Sequence, residues 1–213
     1  MTSSHSDVRY FPRPGATHLL RLAIACAVFA APAADAKTPS ARELPALFAT
    51  LEKTDAVTEG PASPKRILYV FFDANCWYCH LTWKVLQAYE KAGLQVRWVP
   101  VAYQKESSTT KAAAIMLAKD RVAAMRENEV GYRAESYDGG IAPVKASKAL
   151  EAQLEANFGL MDRFGVSGTP GLVWKDDKGR VRVRTGMPRL SQLPAITGLP
   201  AQKNDDPELT EFR

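Results

Sequence analysis

The stretch FFDANCWYCH, residues 71–80, decides the fold, because it places two cysteines two residues apart directly behind an apolar segment. That segment, RILYVFFD at 66–73, is rich in β-branched and aromatic residues and predicts a buried strand. Apolar side chains then recur at helical spacing over 79–91, until Gly93 ends the helix, and LQVRWVPV at 94–101 alternates like a second strand. The order strand, CxxC, helix, strand predicts an α/β fold.

The chain after the second strand is mostly helical. Three segments have helical character: residues 111–119, 122–130 and 146–158. The segments GLVW at 171–174 and VRVRT at 181–185 flank a DDKG turn and predict a hairpin. Residues 104–164 therefore exceed one crossover helix, and we predict a helical insertion between the second strand and this hairpin.

Residues 1–36 have the features of a secretory signal peptide. Arginines precede an apolar run at 22–31, and the small residues of ADA at 34–36 follow it. The run is too short to span a bilayer. We predict a secretory signal that is cleaved after Ala36.

Cleavage at that point would leave Cys76 and Cys79 as the only cysteines and His80 as the only histidine. A structural disulfide that encloses two residues gains little from loop closure. The residues also match the C-x-x-C-H haem signature, but a buried strand before them and a core helix after them leave no haem pocket. Structural zinc needs four ligands, and only three such side chains remain. We predict a redox-active dithiol with no dissociable cofactor and no metal.

The spacing of the cysteines suits disulfide exchange. Cys76 is expected at the N-terminus of the helix, where free backbone N–H groups and the helix dipole favour a thiolate. Cys79 lies one turn further on the same face, so it can attack a mixed disulfide on Cys76 and release the client.

FFDANCWYCH together with SGTPGLVW at 167–174 resembles the thioredoxin-fold catalytic domain of the periplasmic disulfide isomerases of the DsbC/DsbG type, DsbG above all. The resemblance covers about residues 66–190. It implies that Cys76 is the surface nucleophile and Cys79 the resolving cysteine. It also implies that Thr169-Pro170 is the family's threonine and cis-proline, whose backbone pairs with an extended client. The implied fold is thioredoxin-like, with the helical insertion between the second strand and the cis-proline strand.

Four further side chains near the cysteines are candidate site residues. Trp77 and Tyr78, where the DsbG type usually has proline and tyrosine, are expected to contact clients through an apolar surface. His80 is expected on the helix surface or in its first turn, where it would modulate the neighbouring thiolate. Asp73 matches a family position, and it fits a turn or capping residue before the helix equally well.

The rest of the chain gives a domain layout. Residues 37–65 are predicted to hold an amphipathic helix and a linker, which is too short for the family's N-terminal dimerisation domain, so a monomer is favoured. Residues 66–200 form the predicted catalytic domain, and residues 201–213 a disordered polar tail. The formal net charge of +5 comes from scattered basic residues, which argues against nucleic-acid binding.

The prediction is a periplasmic thiol-disulfide oxidoreductase that acts on exported proteins with cysteines. The resemblance favours a reductase or isomerase, or a reductant of sulfenic acids, kept reduced by a membrane thiol reductant of the DsbD type. Two alternatives stay open. One is a disulfide oxidase of the DsbA type, and the other is a non-catalytic thioredoxin-fold binding module.

Overall fold

The computed structural model describes residues 39–213, so the predicted signal peptide at residues 1–36 lies outside the described residues. The strands are β1 (Val57–Glu59), β2 (Arg66–Phe72), β3 (Leu94–Pro100), β4 (Gly171–Lys175) and β5 (Val181–Thr185). The α-helices are α1 (Leu44–Leu51), α2 (Trp77–Lys91), α3 (Ser108–Met116), α4 (Arg121–Val130), α5 (Lys148–Arg163) and α6 (Leu193–Thr197). Short 3-10 helices cover Ala134–Ser136, Leu190–Gln192 and Pro207–Phe212. Within this part of the chain no helix combines the length and apolar character needed to cross a membrane.

The strands form one sheet in the order β1-β3-β2-β4-β5. β2 runs parallel to β3 and antiparallel to β4, so it lies at the centre of the sheet. Its last five residues are all buried, because both faces of the sheet are covered, and this explains the unbroken apolar run in the sequence. The predicted α/β class is confirmed, and so is the insertion, since α3, α4 and α5 all lie between β3 and β4.

Alternate side chains of β2 enter two separate cores. Phe72 packs on one face, where its ring centroid lies 5.9 Å from that of Trp98, among the side chains of α2. Phe71 packs on the other face, 6.2 Å from the ring of Phe164 at the end of α5. This alternation follows from the two-residue period of a strand. Side chains packed on both faces hold β2 in place, and the cysteine loop begins at its end.

The interpretation of residues 37–65 as a helix and a linker was incomplete. Val57–Glu59 forms the edge strand β1, which pairs antiparallel with β3. Three residues are too few to show a strand period, so the sequence pattern gave no signal for it. Gly60 ends the strand with a φ of 95°, and a Cβ there would lie 2.3 Å from the carbonyl oxygen of Leu94. Only glycine fits this turn without strain.

The prediction of a disordered tail at residues 201–213 was wrong. Pro207–Phe212 forms a 3-10 helix, and Leu209 within it is fully buried against the core that contains α2. Lys84 of α2 forms ion pairs with Glu208 and, at 2.6 Å, with Asp206. The segment is mostly polar, so its two apolar residues that pack on the core, Leu209 and Phe212, gave no visible pattern in the sequence. Their packing brings the C-terminus close to the helix that carries the cysteines.

Candidate active site

Cys76 is the N-cap of α2, as its position in the sequence predicted. Its backbone is extended, with φ −80° and ψ 113°, and its Sγ accepts a hydrogen bond from the amide of Cys79 at 3.1 Å. The carbonyl of Cys76 accepts the amide of His80 at 3.0 Å, which begins the helical hydrogen bonding. The cysteine side chain thus takes the capping place usually held by serine or aspartate, and a thiolate there is stabilised by the amide and the helix dipole.

The two thiols are free and both are buried. Cys76 is only 2% exposed, so the prediction of a surface nucleophile was wrong for this structure, while Cys79 is 1% exposed as expected of a resolving cysteine. The carbonyl oxygen of Thr169 lies 3.5 Å from the Sγ of Cys76 and accepts its S–H. The loop that carries Thr169 thus covers the reactive sulfur.

The two sulfurs differ in acidity. Burial by itself would raise the pKa of Cys76, but hydrogen bonds from the side chain and the amide of Cys79 outweigh it, and the pKa is lowered. The negative charge of Asp73 opposes this effect. The pKa of Cys79 is raised well above its ordinary value, first by burial and then by the hydrogen bond and charge of Cys76. Cys76 therefore ionises before Cys79.

The alkylation rate of Cys76 in the reduced protein is expected to follow a titration with a midpoint below the ordinary cysteine pKa of about 8.5. The thiolate is the reactive form, so the rate is highest above the pKa and declines as the pH falls through it. A lowered pKa moves this decline to lower pH. Iodoacetamide labelling across a pH series measures it, with Cys76→Ser as the control that removes the fast phase. A midpoint at or above that of free cysteine would contradict the stabilisation at the helix N-terminus.

Thr169 and Pro170 lie beside the cysteines, joined by a cis peptide bond. The amide of Thr169 donates to the hydroxyl of Tyr103 at 3.0 Å. The Oγ1 of Thr169 contacts the same hydroxyl at 3.0 Å and accepts from the Nε2 of Gln104 at 2.9 Å. Tyr103 and Gln104 were not predicted. They follow β3, which is parallel to β2, so the meeting of the two carboxyl ends at one sheet edge could have revealed them.

Asp73 joins the cysteine loop to the segment after β3. The residue is 1% exposed. Oδ1 accepts from the amide of Asn75 at 2.9 Å and from the hydroxyl of Ser108 at 2.8 Å. Oδ2 accepts from the amides of Tyr103 at 2.8 Å and Gln104 at 3.1 Å. Asp73 therefore forms a turn, as expected, but it does not cap α2, and its four donors come from three separate parts of the chain.

His80 lies in the first turn of α2, one of the two places predicted for it, but not on the helix surface. It is 7% exposed, with its Nδ1 3.1 Å from the Oε2 of Glu129 on α4 and its ring stacked on Tyr132 at 4.6 Å. Its Nε2 lies 3.7 Å from the carboxylate of Glu208 in the C-terminal segment. Burial raises the pKa of Glu129, and the contact with His80 opposes that shift. Glu129 and Tyr132 were missed, since nothing in the sequence shows that α4 packs against α2.

The two residues between the cysteines have different surroundings. Trp77 is half-buried, 5.4 Å from the ring of His80 and 5.7 Å from that of Tyr132. Tyr78 is 52% exposed and touches Phe212 edge-on at 6.3 Å. Of the two predicted client-binding aromatics, Tyr78 is thus the more accessible. Across residues 39–213 no three His, Cys, Asp or Glu side chains are grouped so that they could hold a metal ion.

Comparison with known proteins gives sequence relatives. A family model described as a thioredoxin-like domain matches residues 54–196. The chain is 30% identical over 162 residues to the thiol:disulfide interchange protein DsbG of Pseudomonas aeruginosa, covering 75% of this chain and 60% of that protein. It is 26% identical over 161 residues to DsbG of Escherichia coli, covering 75% and 62%. It is 30% identical over 123 residues to DsbC of Haemophilus influenzae, covering 57% and 49%. The chain thus spans about half to three-fifths of these relatives.

Solved structures share the fold. The catalytic domain of Proteus mirabilis ScsC has a TM-score of 0.54 and 22% identity, with 73% of this chain and 95% of that chain covered. DsbA2 of Pseudomonas aeruginosa also has a TM-score of 0.54, with 15% identity and coverage of 66% and 91%. At these identities the likeness concerns the fold alone.

Proposed function

Because the chain belongs to the thioredoxin-like domain family, we propose that it is a periplasmic thiol-disulfide oxidoreductase that acts through Cys76 and Cys79. The observation that carries the proposal is that one helical turn holds two free thiols whose pKa values are shifted in opposite directions. The pKa of Cys76 is lowered at the helix N-cap, and the pKa of the buried Cys79 is raised. One thiol is therefore ready to attack while the other stays protonated until it is needed.

The reaction follows from this arrangement. The Cys76 thiolate attacks one sulfur of a client disulfide, the client S–S bond breaks, and the second client cysteine leaves as a thiolate. Cys79 then gives up its proton and attacks the Sγ of Cys76, which releases the first client cysteine and forms the Cys76–Cys79 disulfide. Two electrons pass to the client, which ends with two thiols. In isomerisation a different client thiolate attacks the client sulfur of the mixed disulfide instead, which forms a new client disulfide and releases Cys76 as a thiolate, so no net oxidation occurs.

Clients are proposed to be exported proteins with cysteines. They would bind as extended segments along Thr169 and Pro170, beside the exposed ring of Tyr78. The contact of the Thr169 carbonyl with the Cys76 Sγ supports this, because it places the backbone before the cis peptide bond next to the reactive sulfur. The sequence likeness to DsbG and DsbC supports the reductase or isomerase direction, with a membrane thiol reductant of the DsbD type as electron donor.

One observation favours the oxidase alternative. A lowered pKa of Cys76 stabilises the reduced, thiolate-containing form, and this makes the disulfide form a stronger oxidant. The redox state in the cell separates the two directions. Acid quenching of intact cells, alkylation of thiols and a gel-shift readout are expected to show Cys76 and Cys79 reduced. A pair found oxidised would overturn the proposed reductase direction and favour the oxidase.

A further inference from the structure

An apolar cleft lies beside the loop that carries Thr169. Its volume is about 320 Å³, and its walls include Tyr103, Leu154 and Phe158. Tyr103 is 43% exposed and Phe158 42% exposed, and their ring centroids lie 5.3 Å apart. Two large aromatic side chains are thus held at the surface next to an open cavity, where a monomeric protein would more commonly place polar ones.

The cleft is continuous with the proposed client-binding loop. The hydroxyl of Tyr103 contacts both the amide and the Oγ1 of Thr169, at 3.0 Å in each case. The carbonyl of Thr169 in turn lies 3.5 Å from the Sγ of Cys76. Tyr103 therefore contacts Thr169 through its hydroxyl and also lines the cleft, so it connects the loop beside Cys76 to the cleft. A client joined to Cys76 would have residues adjacent to its cysteine within reach of the opening.

Carboxylates stand at the rim of this apolar cleft. Glu151 and Glu155 are exposed residues four positions apart on α5, and both line the cavity. No ion pair or hydrogen bond of either side chain occurs within residues 39–213. Glu151 lies in the first turn of α5, where the helix dipole favours a negative charge. Glu155 lies beyond that turn, and two like charges four residues apart disfavour a helix slightly, so the pair of carboxylates carries a small cost in the free protein.

We propose that this cleft binds a basic side chain of the client, arginine above all, on the segment that flanks the client's reacting cysteine. This inference rests on the proposed function and names the class of client. The aliphatic part of an arginine would pack on Leu154 and Phe158, its guanidinium would face the aromatic rings, and the carboxylates of Glu151 and Glu155 would neutralise it. Lysine should bind less well, because it lacks the planar fork that pairs with two carboxylate oxygens.

The test compares fluorogenic peptide disulfides that differ only by arginine or glutamine at each of the four positions on either side of the cysteine. The measured quantity is the ratio of kcat/KM for the two peptides. At one or two positions we expect the wild-type protein to prefer arginine by about tenfold, which corresponds to about 1.4 kcal/mol. The preference should weaken in E155Q, disappear in E151Q/E155Q and shrink with added salt. The matched control is E127Q, an exposed carboxylate on α4 that does not line the cleft, and it should keep the preference.

The outcomes separate this inference from the proposed function. Equal kcat/KM values for arginine and glutamine peptides at every position overturn the inference while leaving the oxidoreductase activity intact. A preference that survives in E151Q/E155Q also overturns it, because the carboxylates would then not be the recognising groups. Exchange with neither peptide overturns the proposed function, and the inference with it. Circular dichroism of both variants shows that any loss of preference occurs in the folded protein.

Discussion

Replacement of Cys79 by serine is expected to abolish turnover and to leave client proteins covalently attached to Cys76. Serine keeps the backbone amide and a hydroxyl near the Sγ of Cys76, so hydrogen bonds still stabilise the attacking thiolate. The hydroxyl is not acidic enough to attack the mixed disulfide, which therefore accumulates. Non-reducing gels of the variant mixed with a disulfide-containing protein, followed by mass spectrometry, measure the adduct and its site.

The matched control is Cys76→Ser, which should form no adduct. The pKa of Cys79 is raised well above the ordinary value, so it is protonated at neutral pH, whereas the pKa of Cys76 is lowered. Adducts of equal yield in both variants would show that the assigned order of attack is wrong. If Cys79→Ser forms no adduct with any client, the protein does not perform exchange, and the binding-module alternative gains support.

The local part of the site could be predicted from the sequence. The run before the cysteines is apolar on both faces, and the two-residue spacing suits a dithiol at the start of a helix, so β2, α2 and the N-cap position of Cys76 all follow from adjacent residues. The edge strand Val57–Glu59 and the C-terminal 3-10 helix could not be predicted in this way. Their stability comes from one neighbouring strand and from a few buried side chains such as Leu209, and neither leaves a periodic pattern.

The contacts supplied by the helical insertion were beyond sequence reasoning. His80 was expected on the helix surface or in its first turn, and it lies in that turn but is buried, with its Nδ1 3.1 Å from the carboxylate of Glu129 on α4. The side-chain amide of Asn128, on the same helix, donates to the backbone carbonyl of Ala74 at 3.0 Å. The hydroxyl of Tyr132, just after that helix, donates to the backbone carbonyl of Asn75 at 2.8 Å. The insertion thus holds the cysteine loop from outside the sheet. Only the packing of α4 on α2, a tertiary feature, determines these contacts.

Replacement of Asp73 by alanine is expected to lower the free energy of unfolding by about 3–5 kcal/mol and to slow disulfide exchange. The four donors on its carboxylate would lose their acceptor in a buried site, and bonds to a charged group are among the stronger ones. The segment after β3 would then no longer hold Thr169 in register with Cys76. Urea unfolding of the reduced protein measures the stability, and Asp162→Ala, at an exposed position of α5, is the control expected to change it by at most about 0.5 kcal/mol.

Asp73→Asn separates the structural role of the carboxylate from its charge. Asparagine can still accept from Asn75 and Ser108 on one oxygen, but its NH₂ group would face the amides of Tyr103 and Gln104, so we expect a loss of about 2 kcal/mol. The negative charge of Asp73 raises the pKa of Cys76, so its removal should move the alkylation midpoint of Cys76 to lower pH. Lower stability together with a more acidic Cys76 would show both roles at once. A variant with unchanged stability would contradict the role of Asp73 as the shared acceptor, and an unchanged midpoint would contradict its effect on the nucleophile.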